Sequence, residues 1–507
     1  MMAAKAAIIK DEIGIALADD PHFRSGLGGQ YKSFKANLLP ALEPDEFADL
    51  YAETITYGLF AARFHDDDLT TFSRAEALEK LPASNPFLKG LFEYIAGPGL
   101  PKRLTYIVDD LVTVMRASDP HSLFENYGKF TARNDPFVHF YEDFLAAYNP
   151  KKRKSRGVWY TPEPVVDFIV RAVDDVLRSE FGLADGLADT SKVTVDWDTG
   201  QDDPKTGKPR TIKKDVHKVQ ILDPATGTGT FLAKAVQLIS DRVKARAPGK
   251  WSNYVEQDLL PRLHGFELLM ASYAMCHMKL DMMLTETGYK PSGKPPRLSV
   301  WLTNSLEPAE RDVKDLFFQP LAEEARGASE VKRQTPIMCV IGNPPYSGHS
   351  SNKGSWIESL MADYKVSPEL KRPAQAKWLS DDYVKFIRFG EHMIERNGVG
   401  VFRATPSLRS SASSISTPSS MPSSPRPPGS TPPTGSGRTT ISAPPPARRG
   451  RARSSCLTTS TVCCTRQPIA RRSRSSSRLT SRASPIRRAP RSSVTSATKA
   501  SSSAAST

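Results

Sequence analysis

After Phe402 the chain changes character so sharply that only its first 402 residues can supply a folded core. Residues 403–507 contain no Phe, Tyr, Trp, Asn, His, Asp or Glu, and consist almost entirely of Ser, Arg, Pro, Thr, Ala and Gly. Such a segment cannot bury enough apolar surface to offset the entropy of ordering its backbone. The expectation is a disordered tail over 403–507. Nearly all its residue types carry C or G at the second codon position, the composition produced when a GC-rich gene is read out of frame from near Arg403. An Arg/Ser-rich tail that attracts phosphates is the competing reading.

The same division accounts for the charge. The whole chain carries +14, whereas 403–507 holds 17 Arg and one Lys with no acid, which leaves −4 on residues 1–402. The basic total is therefore no argument that the folded part binds nucleic acid. No apolar run approaches the ~20 residues that cross a bilayer, and the N-terminal stretch, with Asp11 and Glu12, has too short an apolar core for a signal peptide. Cys276 and Cys339 stand alone among apolar neighbours without metal-ligand spacing, which fits a reduced cytoplasm. No metal is expected.

Before the break, two regions follow one another. Residues 1–150 read as helical: Phe47, Leu50, Tyr51, Ile55, Leu59 and Phe60 recur at helical spacing, and KRLTYIVDDLVTVMRAS and DPFVHFYEDFLAAYN behave alike. This region shows no nucleophile or metal constellation, so its expected role is packing or coupling. The basic run 151–157 is a solvated linker or a phosphate contact. From 158 to 402 strand and helix alternate, the pattern of an α/β layer structure with a largely parallel sheet. A helix is expected over 164–181 and a hairpin or surface loop at DTGQDDPKTGKPRT. Strands are expected at KVQIL, LHGFEL, LSVWLTNSL, PIMCVIG and GVGVF, with a helix over 382–396.

Three strand ends carry chemistry. In LDPATGTGTF, Asp223-Pro224-Ala225 leads to Gly227 and Gly229 where a strand turns into a helix. Glycines there permit φ > 0 and let a ligand lie against the backbone. No third glycine follows, so a ligand without pyrophosphate suits the turn better than a dinucleotide. A plain strand–helix turn has the same form. Glu267 ends the next strand, where a carboxylate can accept from both ribose hydroxyls or simply start a helix. Asn343-Pro344-Pro345-Tyr346 ends a later one. Proline cannot continue a ladder, so this device holds an amide and a phenol rigidly at a strand tip. The Asn343 side-chain oxygen and the Pro344 carbonyl can each accept an N–H of a conjugated amine, and Tyr346 can stack on its ring. Acceptors fixed before reaction are what electrostatic catalysis requires.

With these residues in place the sequence resembles the gamma-order N6-adenine DNA methyltransferases, and within them the methyltransferase part of type ISP/type II single-chain restriction-modification enzymes, over about 23–402. The resemblance implies S-adenosylmethionine as cofactor. Tyr160, Thr161 and Pro162 resemble the N-terminal cofactor motif, and Asp223, Pro224, Ala225, Gly227, Gly229 and Phe231 the glycine motif, with Thr226 and Thr228 in place of Cys and Ser. Glu267 takes the ribose position, Asn304 lies near the adenine motif, and Asn343, Pro344, Pro345 and Tyr346 match the catalytic tetrapeptide. The implied fold is a Rossmann-like methyltransferase sheet preceded by an all-helical domain. The domains are then 1–150, a helical coupling domain; 151–402, an incomplete catalytic domain; and 403–507, a disordered tail. The implied partner is double-stranded DNA with its target adenine flipped out, with separate restriction or specificity modules possible and no membrane. The alternatives are a truncated remnant with at most cofactor binding, and methylation of a glutamine side-chain amide.

Overall fold

The helix Pro44–Phe64 is buried on every side from Phe47 to Phe64, polar Asp49, Glu53 and Arg63 included, and the N-terminal region is built around it. The computed structural model describes residues 1–66, 68, 70–81, 85–120, 122, 136–149, 161–293, 296–310, 318–346, 350, 352–366, 379–405 and 461–465. In chain order the N-terminal helices are α1 (Met2–Ala18), α2 (Gly26–Asn37), α3 (Pro44–Phe64), α4 (Arg74–Lys80), α5 (Pro86–Ala96), α6 (Lys102–Arg116) and α7 (Pro136–Tyr148). Local sequence sets their starts. The Ser25 hydroxyl accepts from the Gly28 N–H to cap α2, and Pro44 with Asp45 and Glu46 opens α3 against its dipole.

The α/β part begins with α8 (Glu163–Ser179) and a two-stranded antiparallel ribbon, β1 (Lys192–Asp202) and β2 (Pro209–His217). The main sheet contains β3 (Ile221–Asp223), β4 (Leu263–Glu267), β5 (Ser299–Leu302), β6 (Cys339–Gly342) and β7 (Val399–Ala404), all parallel. Its helices are α9 (Thr230–Arg246), α10 (Met270–Glu286), α11 (Gln319–Gln334), α12 (Ser355–Met361) and α13 (Asp382–Asn397), with a shorter helical stretch from Trp251 to Arg262. Strand order is β5-β4-β3-β6-β7, followed by β8 (Thr461–Thr465), which is antiparallel to β7. Successive strand residues enter opposite apolar layers. Ile221, Ile341 and Val401 join the core shared with the helical region, whereas Leu222, Val340 and Phe402 pack with Phe389 and Ile394. α3 lies against α10, so the helical region sits on one face of the sheet.

The fold agrees with the α/β sheet and helical region expected from the sequence. α11, α12 and the helical stretch from Trp251 to Arg262 were not anticipated, and Thr461–Thr465, inside the segment expected to be disordered, runs beside β7. The pairing gives β7 a neighbour at an edge that would otherwise present a free ladder. The expectation for 406–460 and 466–507 lies outside the described residues, as does the linker 151–157.

Candidate active site

β3 is central, and the chain proceeds outward from it through β4 and β5 before crossing back to β6 and β7. The strand order therefore reverses between β3 and β6, and in open parallel sheets ligands bind beyond the carboxyl ends of the strands at such a point. The glycine turn leaves β3 there and the tetrapeptide leaves β6. Ile221 pairs with Cys339 and Leu222 with Val340, so the two motifs leave neighbouring strands at the same end of the sheet.

Asp223 forms the floor. It is fully buried; its Oδ1 accepts the Ala225 N–H at 3.1 Å, and its Oδ2 has no hydrogen-bond partner among the described residues. Burial pushes its carboxyl up to about 8, opposed by the Ala225 bond and reinforced by the nearby Glu267 charge. β6 passes so close that a Cβ on Gly342 would stand 2.6 Å from Oδ1. The Thr226 N–H donates to Phe266 O at 2.9 Å, and its hydroxyl lies 3.0 Å from the same oxygen, which ties the turn to β4.

The two glycines of the turn do different work. Gly227 has φ +57° and open space where a side chain would project, and its N–H donates to Glu267 Oε2 at 2.7 Å. Gly229 has φ +83°, and a Cβ there would meet Cys276 Sγ of α10 at 2.6 Å. The sequence expects ligand approach at both; in the structure the space beside Gly227 is open, whereas Gly229 packs against α10. Glu267 Oε1 accepts the Leu268 and Leu269 N–H groups at 2.9 and 2.8 Å, so backbone donors on both sides aim this nearly buried carboxylate.

Asn304 follows β5. Its Oδ1 accepts from Leu306 N–H, its Nδ2 donates to Asn352 Oδ1 at 2.9 Å, and its carbonyl accepts from the buried Lys332 Nζ at 2.6 Å. Lys332 also donates to Thr303 Oγ1 and Glu307 O; burial lowers this amine to about 7 against the raising effect of Glu307 and Glu310. The Ser305 hydroxyl donates to Pro224 O at 2.5 Å, joining the β5 loop to the glycine motif. Sequence reading missed Ser305, Asn352 and Lys332, whose residue types carry no signal without the fold.

At the tip of β6, Asn343 Nδ2 donates to Thr161 Oγ1 at 2.9 Å. Its Oδ1 accepts from the hydroxyl of Tyr346 at 3.2 Å and from that of Thr405. The Tyr346 ring lies 4.9 Å from that of Tyr383, whose hydroxyl donates to Thr405 O at 2.9 Å. Thr161, expected beside the cofactor, thus touches the tetrapeptide. Pro162 is exposed ahead of α8, Phe231 is buried in the first turn of α9, Pro344 is buried, and Pro345 and Ala225 are half-buried. Tyr160 lies outside the described residues. Among the described residues no group of His, Cys, Asp and Glu side chains forms a metal site, and no helix is long and apolar enough to cross a membrane.

The model of the family described as N-6 DNA Methylase matches residues 132–186, which include Thr161 and Pro162 but neither the glycine turn nor the tetrapeptide. Among solved structures, the chain is similar to the ATP-dependent type ISP restriction-modification enzyme LlaBIII bound to DNA, with 21% identity and a TM-score of 0.55, over 80% of this chain and 24% of that one. It is similar to a nuclease-deletion mutant of the type ISP enzyme LlaGI in complex with a DNA substrate mimic, with 21% identity and a TM-score of 0.52, over 80% and 29%. The DrdV–DNA complex aligns with 21% identity and a TM-score of 0.51, over 80% and 34%. The chain shares their fold. It spans about a quarter to a third of their lengths. No curated protein matches. The resemblance read from the sequence, to an N6-adenine methyltransferase of restriction-modification type, agrees with the family model and with these folds.

Proposed function

We propose that this chain is the methyltransferase portion of a restriction-modification enzyme and methylates adenine N6 in duplex DNA with S-adenosylmethionine as donor. The observation that carries the reading is the emergence of the glycine turn and Asn-Pro-Pro-Tyr from adjacent strands at the reversal of strand order. The family match and the DNA complexes among the similar structures support it.

The residues present fit the cofactor. Gly227 offers open backbone, Glu267 an aimed carboxylate for ribose hydroxyls, and Asp223 an unpartnered buried oxygen beneath them. When bound, the cofactor supplies an electrophilic methyl group. The protein's part is placement. The Asn343 oxygen and the Pro344 carbonyl accept the two N–H groups of the adenine amine, which turns its lone pair toward the donor side, and Tyr346 covers the base. Both acceptors leave the same strand end, which places them near the amine before reaction. The target leaves the duplex to reach this crevice, and its Watson–Crick partner is left behind.

The test uses the purified chain, labelled S-adenosylmethionine and mixed-sequence duplex DNA. The expected result is label on adenine N6, lost with Asn343→Ala while cofactor binding persists. Label on a glutamine side chain of added protein instead of DNA would replace this reading with amide methylation.

A further inference from the structure

Asn343 is the residue on which the proposed chemistry turns, and a strand end alone does not fix its amide. The torsion between Cβ and the amide plane of an asparagine is broad and roughly two-fold, so the group can swing or turn over without leaving its place. Only an orientation with the oxygen toward the base lets it accept from the reacting amine. Some contact outside β6 has to hold the other end.

Thr161 is that contact in the structure. It lies 182 residues earlier in the chain, just ahead of α8, and only 9% of it is exposed. Its Oγ1 receives the Asn343 Nδ2–H at 2.9 Å. On the other side, the hydroxyls of Tyr346 and Thr405 donate to Asn343 Oδ1. An amide oxygen has two lone pairs, and two donors fill them. An incoming amine N–H has to displace one of those hydroxyls, which can rotate away, and the oxygen keeps its position through the exchange only if the nitrogen end stays anchored.

Building on the function proposed above, we propose that Thr161 is a positioning residue for Asn343: its hydroxyl anchors the amide nitrogen so that the amide oxygen stays presented to the target amine. This departs from the cofactor role that the sequence resemblance implies for Thr161. The two roles predict different losses. An anchor governs the mobility of the Asn343 amide and the rate of transfer, whereas a cofactor contact governs affinity for S-adenosylmethionine.

The experiment follows the Asn343 side-chain NH2 directly, in full-length protein carrying [15N]asparagine in a deuterated background, with the resonance pair identified by its disappearance in Asn343→Ala. Thr161→Val removes the hydroxyl at nearly constant shape; Thr161→Ser keeps it. Loss of one neutral hydrogen bond corresponds to about a tenfold change in the opening equilibrium. Solvent exchange of the Asn343 NH2 is expected to quicken about tenfold in Thr161→Val and to return to the parent rate in Thr161→Ser. Affinity for S-adenosylmethionine, measured by calorimetry, stays at the parent value in both. In single-turnover methylation, Thr161→Val falls about ten- to a hundredfold, the scale expected of a misplaced catalytic group, and Thr161→Ser recovers. Unchanged NH2 exchange in a folded Thr161→Val protein overturns the proposal, and does so most plainly if cofactor affinity drops at the same time. A parent that transfers no methyl group to DNA counts against the function proposed above, while the exchange measurement still decides the role of Thr161.

Discussion

Gly227 and Gly229 are two residues apart and look equivalent in the sequence, yet their surroundings assign them opposite sensitivities. Gly229→Ala places a methyl group against Cys276 Sγ in addition to its left-handed φ, so we expect a loss of about 2 kcal/mol or more in denaturant unfolding, partly recovered by Cys276→Ala. Gly227→Ala meets only the left-handed cost of roughly 1–2 kcal/mol; its larger effect is expected in cofactor binding, read by calorimetry. Asp223 gives a pH prediction. Its folded-state pKa of about 8 lies above the ordinary 3.8, so its contribution is complete below about 4 and is lost as pH rises to about 8. Urea unfolding at pH 5 and pH 8 should show a parent less stable at the higher pH by on the order of a few kcal/mol, a decrement reduced in Asp223→Asn. The strand-end residues were legible because glycine, proline and a terminal acid have few other reasons to stand there. The distant partners of Asn343 were not: Thr161 and Thr405 lie far off in sequence, and only the sheet brings them to it.

α11 shows why one element escaped sequence reading. Its inward face mixes Leu321, Ala322, Ala328 and Val331 with buried Glu324 and Lys332, so no clean apolar stripe marks it. The charges are accounted for by the fold. Glu324 pairs with Arg297 and accepts the Leu302 N–H at 2.9 Å, while Lys332 binds the loop after β5. Removing one partner strands the other, so Glu324→Ala should lower stability by about 3 kcal/mol, seen as a reduced urea midpoint with an unchanged slope. By contrast, α3, α10 and the strands of the main sheet announce themselves by apolar periodicity or by short apolar runs ending in turn residues. The ribbon of β1 and β2 was legible as a hairpin or loop from its Gly, Pro and Asp content, though not its length.

At the scale of the molecule, the alternation of strand and helix after residue 158 specified the layered architecture, and the order β5-β4-β3-β6-β7 supplied what no local pattern carries: the reversal that brings two distant motifs to neighbouring strand ends. The helical region packs through α3 onto α10, whose Cys276 supports the glycine turn, so the N-terminal region and the site share one continuous core. Everything above converges on methylation of adenine in DNA by the residues at the ends of β3 and β6. Its most direct test is the position of the label after the parent chain and Asn343→Ala are incubated with labelled S-adenosylmethionine and mixed-sequence duplex DNA. N6-methyladenine is expected with the parent, and a rate lower by roughly a hundredfold or more with Asn343→Ala, the effect of deleting one preorganised acceptor. A parent that binds both cofactor and DNA yet leaves adenine unlabelled, or an Asn343→Ala variant that matches it, would contradict the account.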